Sequence, residues 1–192
     1  MGIFFIKINY ISASRKLIAN LFFCLTLLII IFNSSLAFGK DQSIHALRSA
    51  YLYYFSHFIQ WPNETVFPDD KLNLCASTED DSDIFQLSTI NNKPLGQQRL
   101  NIILLDSNPN KQNETCHILY LSGSDSAIDN QKGLYLNDYT LTVTEGDSGY
   151  RGAIHLFMQN NKLKFEIDND LLTKNKFKAS SKILRLSQKE LP

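Results

Sequence analysis

Cys75 and Cys116, the histidines at 45, 57, 117 and 155, and the carboxylate pairs Glu145/Asp147 and Asp168/Asp170 are the residues whose chemistry goes beyond packing. Taken as chemistry, they offer little. A metal site needs three or four converging ligands, and the four histidines show no paired spacing. His117 directly follows Cys116, and neighbours in a strand face opposite ways. The acidic pairs fall in loops, where carboxylates are ordinarily solvated and their pKa values are not driven apart for acid–base work. Gly146, Gly149 and Gly152 resemble an anion-cradling loop by spacing, but the segment leads into a strand pattern, whereas phosphate loops lead into a helix N-terminus. Nucleophile elbows, zinc-protease motifs and phosphate-binding loops are absent from the sequence. An enzyme would require a buried His–carboxylate pair beside a cleft, and the spacing offers none. The expectation is a chain without catalytic residues, bound metal or cofactor.

Compartment then decides what the cysteines do. Lys7, Arg15 and Lys16 precede an apolar run from Leu17 to Phe32, and Ser35 and Ala37 stand at small-residue positions behind it. This reads as a cleavable export signal over residues 1–37, cut after Ala37 or after Gly39. The run is shorter than a spanning helix wants and carries Asn20, which argues against a retained anchor. Cys24 leaves with the signal. Cys75 and Cys116 are then an even pair in an oxidising compartment, where a bridge is the natural state and two buried free thiols the alternative.

Removing residues 1–37 takes three basic residues and no acidic ones. That leaves 16 basic against 19 acidic residues, a formal −3. No basic patch points to nucleic acid. Residues 38–192 suit one domain.

The elements that must position these residues follow from periodicity. Ser43 is a plausible N-cap for a helix ending at Trp61, before Pro62. Leu47, Tyr51, Tyr54, Phe58 and Trp61 form its expected core stripe, widened by Leu52, Phe55 and Ile59. Ser49, Tyr53, Ser56 and Gln60 form the wetter side. Strands are expected at 72–76, 100–105, 116–121 and 141–144, the second of them buried on both faces. Helices are expected at 83–90 and 124–131, a polar loop at 106–115, and a hairpin of 153–158 with 162–167 around Asn160-Asn161. Leu171-Leu172 opens another helix, and Ser180 or Ser181 caps a last one. The order argues for an α/β fold: a single domain with a mixed β-sheet flanked by α-helices.

These residues also resemble a known family. Leu47-Arg-Ser-Ala-Tyr-Leu-Tyr-Tyr-Phe-Ser-His-Phe-Ile-Gln-Trp-Pro62 is similar to the opening signature of the YfiR family. Lys71–Cys75, Cys116–Ser122, Phe165–Asp168 and Ser180–Leu186 resemble its two cysteine strands and its closing pattern. The resemblance implies a periplasmic, non-catalytic regulator. Such a protein binds the periplasmic sensor part of an inner-membrane diguanylate cyclase and holds it inactive, lowering cyclic di-GMP and biofilm formation. Release comes through an outer-membrane lipoprotein or a redox change. Cys75 and Cys116 match the family's disulfide. Ser148 and His155 stand where some relatives carry a second cysteine pair, and Gly152-Ala153 replaces the usual Gly-Gly. By the same resemblance Ile154, Glu166 and Leu172 fall where relatives contact the cyclase. Alternation puts Glu166 on a solvent face, while Ile154 and Leu172 fit core equally well. A homodimer is left open, and a periplasmic small-molecule binder is the alternative reading.

Overall fold

A computed structural model describes residues 39–78, 80–105, 115–123, 125–146 and 149–187, with side chains at 39–43 and 125–127 excluded. The expected export signal at 1–37, residues 106–114, Asp147 and Ser148 lie outside the described residues. The chain divides into two units, 1–42 and 43–192, and every described strand belongs to the second.

The elements run α1 (Gly39–Phe58), β1 (Ile59–Gln60), a 3-10 turn (Pro68–Asp70), β2 (Lys71–Ser77), α2 (Asp81–Ile90), β3 (Pro94–Leu95) and β4 (Gln98–Leu104). They continue with β5 (Ile118–Ser122), α3 (Asp125–Tyr135), β6 (Leu141–Glu145), β7 (Ile154–Gln159), β8 (Lys162–Ile167), α4 (Asn169–Lys174), β9 (Lys178–Ala179) and α5 (Ser181–Leu186). Seven strands form one mixed sheet in the order β3-β4-β2-β5-β6-β7-β8, and β1 pairs with β9 in a separate two-stranded sheet. Strands β4, β2, β5, β6 and β7 are mutually parallel, and the outer strands β3 and β8 are antiparallel to their neighbours.

Alternation divides the core between the two faces of this sheet. Leu72, Leu74 and Ala76 of β2 and Ile118 and Tyr120 of β5 pack with Leu52 and Phe55 of α1, Ile59 of β1 and Leu87 and Ile90 of α2. Cys75, Leu119 and Leu121 face the other way, against Ile128 and Tyr135 of α3. The central strands are therefore apolar on both faces, as parallel strands covered on both sides must be.

The helix α1 departs from expectation at both ends and in its orientation. It begins at Gly39, before Ser43, and ends at Phe58 rather than Trp61. Ile59 and Gln60 leave the helix because their backbone groups pair with Ala179 and Lys178. The Phe58 carbonyl accepts from the Ser180 N–H at 2.9 Å. The buried face is Ser49, Leu52, Phe55 and Ser56, continued by Ile59 of β1, whereas Leu47 and Tyr54 are 39 % and 46 % exposed. The expected stripe and its opposite are thus partly exchanged. Two sets of residues in this helix share the helical period. The small serines allow close approach to the sheet, and the Ser56 hydroxyl donates to the Leu52 carbonyl at 2.9 Å. Tyr51 needs the margin, where its hydroxyl reaches the Leu163 carbonyl at 3.3 Å.

Strand β4 is a second correction. Leu100 is buried, but Leu104 is 46 % exposed, so the run is not enclosed on both faces. The turn Asn160-Asn161 has φ of 52° and 58°, the left-handed pair a two-residue hairpin requires. Asp80 caps α2 by accepting from the Ser82 N–H, and Ser180 caps α5.

Candidate functional site

Beyond the carboxyl ends of the parallel strands, five polar side chains converge. Arg48, on the buried face of α1, grips Glu145 at the end of β6 with two bonds: Nε to Oε2 at 2.5 Å and Nη2 to Oε1 at 2.6 Å. Its Nη1 donates to Asp83 Oδ1 in the first turn of α2. The Tyr120 hydroxyl of β5 donates to Glu145 Oε2 at 2.6 Å. His45 Nδ1 lies 2.6 Å from Asp83 Oδ1. A carboxylate only accepts, so Nδ1 carries the proton there. The 3.0 Å approach of Arg48 Nη1 to the same nitrogen is then a donor–donor contact, not a further bond. Thr78 Oγ1 approaches Asp83 Oδ2 at 3.4 Å.

The electrostatics follow from this geometry. Burial alone would lower the Arg48 pKa. Its bonds to Glu145 and the charges of Glu145 and Asp83 outweigh that, and the net shift is upward. Burial, then the Glu145 charge, pushes the Tyr120 phenol well above its ordinary range, so it stays a donor. His45, Asp80 and Asp83 also bring ligand atoms within 4.8 Å of one another. Arg48 already pairs with Asp83 Oδ1, and its guanidinium supplies the positive charge a cation would bring. The His–carboxylate pair that spacing did not reveal therefore exists, but it is tied to a fixed cation.

At the opposite, amino end of the sheet lies a groove of about 760 Å³. Trp61, Pro62 and Phe67 line it with Leu72, Gln98 and Lys178. The exposed pair Lys176–Glu64 stands at its rim, 3.6 Å apart. Trp61 Nε1 and Thr65 Oγ1 are buried and find no hydrogen-bond partner among the described residues. A smaller cavity of about 290 Å³, bounded by Val66, Cys116, His117 and Tyr139, shares Glu64 and Thr65 with the groove. No residue of the Arg48 cluster lines either space, so the ion pairs and the cavities are separate features.

Residues 45–188 match the YfiR/HmsC-like family, well over half of the chain. The chain belongs to that family. Individually curated proteins give no match. Members are periplasmic regulators in cyclic di-GMP signalling that act through protein–protein contact, so this YfiR/HmsC-like chain is a regulator of that general kind. No helix among the described residues is long and apolar enough to cross a membrane.

The structure distributes the expected residues unevenly. Cys75 and Cys116 are joined by a disulfide, with Cα atoms 5.6 Å apart. Ile154 is fully enclosed on β7 and Leu172 on α4 is 2 % exposed. Glu166 lies on the outer strand β8, but its side chain is only 15 % exposed and is covered by its ion pair with Arg151, so it does not stand on the open solvent face that alternation suggests. Glu145 turns inward to Arg48, while Asp168 caps α4 by accepting from the Leu171 N–H at 2.8 Å. The glycine loop has a packing role at Gly152, where a Cβ would come within 2.8 Å of the Thr142 carbonyl oxygen. The Gly152 and Ala153 N–H groups are satisfied by the Thr144 and Thr142 hydroxyls, each at 3.0 Å. His155 is buried beside Thr144, its Nδ1 2.9 Å from the hydroxyl.

Sequence reasoning missed Arg48, Asp83 and Tyr120, and set His45 aside as one of four histidines without paired spacing. The available signal was a lone arginine three and four residues from Tyr51 and Leu52 on an apolar helix, which can face inward only where carboxylates await it.

Proposed function

We propose that the chain is exported, processed after Ala37 or Gly39, and holds an inner-membrane diguanylate cyclase inactive by binding its periplasmic sensor part. An outer-membrane lipoprotein is the proposed releasing partner. The observation that carries this reading is the family match across residues 45–188, which covers nearly all of the described second unit. The charges at the carboxyl end are committed to one another, which leaves the outer surface for a partner. Repression works by differential affinity for the inactive sensor conformation. Holding it at 100:1 requires about 2.7 kcal/mol between the two states.

The contact is proposed at the β8 side, around Glu166, with Ile154 and Leu172 supporting it from within rather than touching the partner. The test is recovery of a membrane diguanylate cyclase with the purified protein from membranes of the source organism. It is followed by titration of the cyclase's sensor part with wild type and Glu166→Lys. Binding that weakens roughly tenfold (about 1.4 kcal/mol) with an unchanged melting temperature supports the contact. Unchanged affinity counts against it.

A second reading is favoured by the groove at Trp61, whose indole N–H lacks a partner among the described residues. There the protein is a periplasmic binder of a small molecule that tunes a partner. Failure to recover any membrane protein, in oxidising and reducing buffer alike, moves the reading to this one.

A further inference from the structure

One buried histidine holds a loop through both of its ring nitrogens. His117, just before β5, is 1 % exposed. The Asn73 backbone N–H donates to its Nδ1 at 2.8 Å, and its Nε2 lies 2.9 Å from the Val66 carbonyl oxygen. An amide N–H can only donate and a carbonyl can only accept. The ring is therefore neutral, with its proton on Nε2. Phe67 stacks on the imidazole with centroids 4.7 Å apart, and Trp61 meets Phe67 edge-on at 6.3 Å. The segment between β1 and β2 is thus held to the sheet by the Val66 carbonyl and the Phe67 ring, both on His117. The Val66 side chain contributes no such anchor, being 74 % exposed.

We propose that His117 is a proton-operated latch on the Pro62–Phe67 segment, the shared wall of the two cavities. A proton taken from solvent at Nδ1 sets one N–H against another, so the Asn73 bond is lost while the Nε2–H bond to Val66 is kept, and the ring turns away from β2 carrying the segment with it. The titratable and charged groups around the ring are few. Glu64 from the segment itself, and Asp138 and Tyr139 from the stretch after α3, line the same cavity. Cys116 is held in the disulfide, and Lys71 stands two residues before Asn73 on β2. Neither ring nitrogen is bonded to a charged group. Burial lowers the His117 pKa, opposed by the Val66 bond. With the folded value below the unfolded one, the latch is closed above the ordinary imidazole range. Its contribution is lost as pH falls through the folded value. This device stands independently of which partner the protein binds.

The reporter is built in, because Trp61 is the chain's single tryptophan. The purified protein is titrated from about pH 7.5 to about pH 5, following Trp61 emission, the four imidazoles by NMR and amide exchange at Asn73. The expected result is a reversible emission step that tracks His117. At the same pH, Asn73 exchange rises at least about tenfold beyond its intrinsic pH dependence. His117→Asn offers an acceptor to Asn73 but cannot titrate, and is expected to abolish the step. Persistence of the step in that variant overturns the proposal, as does a step that follows His155, the other buried histidine. If His117→Asn does not fold, the wild type alone decides: Asn73 remaining protected while His117 takes up its proton overturns the latch.

Discussion

The two ends of the sheet are built on opposite principles. At the carboxyl end, Arg48, Asp83, Glu145, Tyr120 and His45 satisfy one another across α1, α2, β5 and β6. At the amino end, two cavities share a wall, and two buried polar atoms of residues lining the larger one lack partners among the described residues. Open α/β sheets usually bind ligands beyond the carboxyl ends, where the strand order switches direction. Here that switch falls between β2 and β5, since β4 lies on one side of β2 and β5 on the other. The position conventionally left for a ligand is occupied by the protein's own ion pairs. The same scaffold can therefore serve a regulator when its crevice is closed by charge and its adaptable surface lies at the other end.

Four variants sharpen this contrast. Replacing Cys75 and Cys116 together by alanine removes a closure across 41 residues, and the chain-entropy model puts the loss at about 4 kcal/mol. A urea-unfolding midpoint under oxidising conditions reads it directly. Arg48→Met leaves Asp83 and Glu145, 7 % and 13 % exposed, without their shared cation. The expected cost is about 3 kcal/mol, close to the penalty for breaking a buried pair. A loss under about 1 kcal/mol in the same unfolding measurement would show that the carboxyl end is hydrated and open after all. Tyr120→Phe removes one bond to a carboxylate that keeps both of its guanidinium bonds, so about 1.5 kcal/mol is expected from the unfolding curve. At the amino end, Lys176→Ala breaks an ion pair whose side chains are 70 % and 56 % exposed. A change below about 0.5 kcal/mol in the denaturation midpoint is expected there.

Much of the fold was legible because strands and turns write their rules locally. The apolar runs of β2 and β5, the Asn160-Asn161 turn and the cap at Ser180 each follow from neighbours in sequence. The candidate site was not legible in this way. His45 and Asp83 are 38 residues apart, and Arg48 and Glu145 are 97 apart. Nothing in local periodicity links such pairs. Proximity in sequence pairs Glu145 with Asp147, whereas its partners in the fold lie on α1 and β5. The orientation of α1 escaped for a related reason. Its aromatic residues and its serine-bearing face have the same period, so only the surface opposite could choose between them.

By itself, then, the sequence determined the α/β class, the order of the longer elements and the family to which residues 45–188 belong, because each depends on patterns read along the chain. Tertiary structure decided which face of α1 is buried and where the helix stops. It also decided that the carboxyl end is closed by ion pairs, and that His117 is held neutral between Asn73 and Val66. These outcomes depend on groups that meet only after the chain has folded. The free energy of a buried charge or a bonded imidazole is set by what stands opposite it, not by what precedes it in sequence.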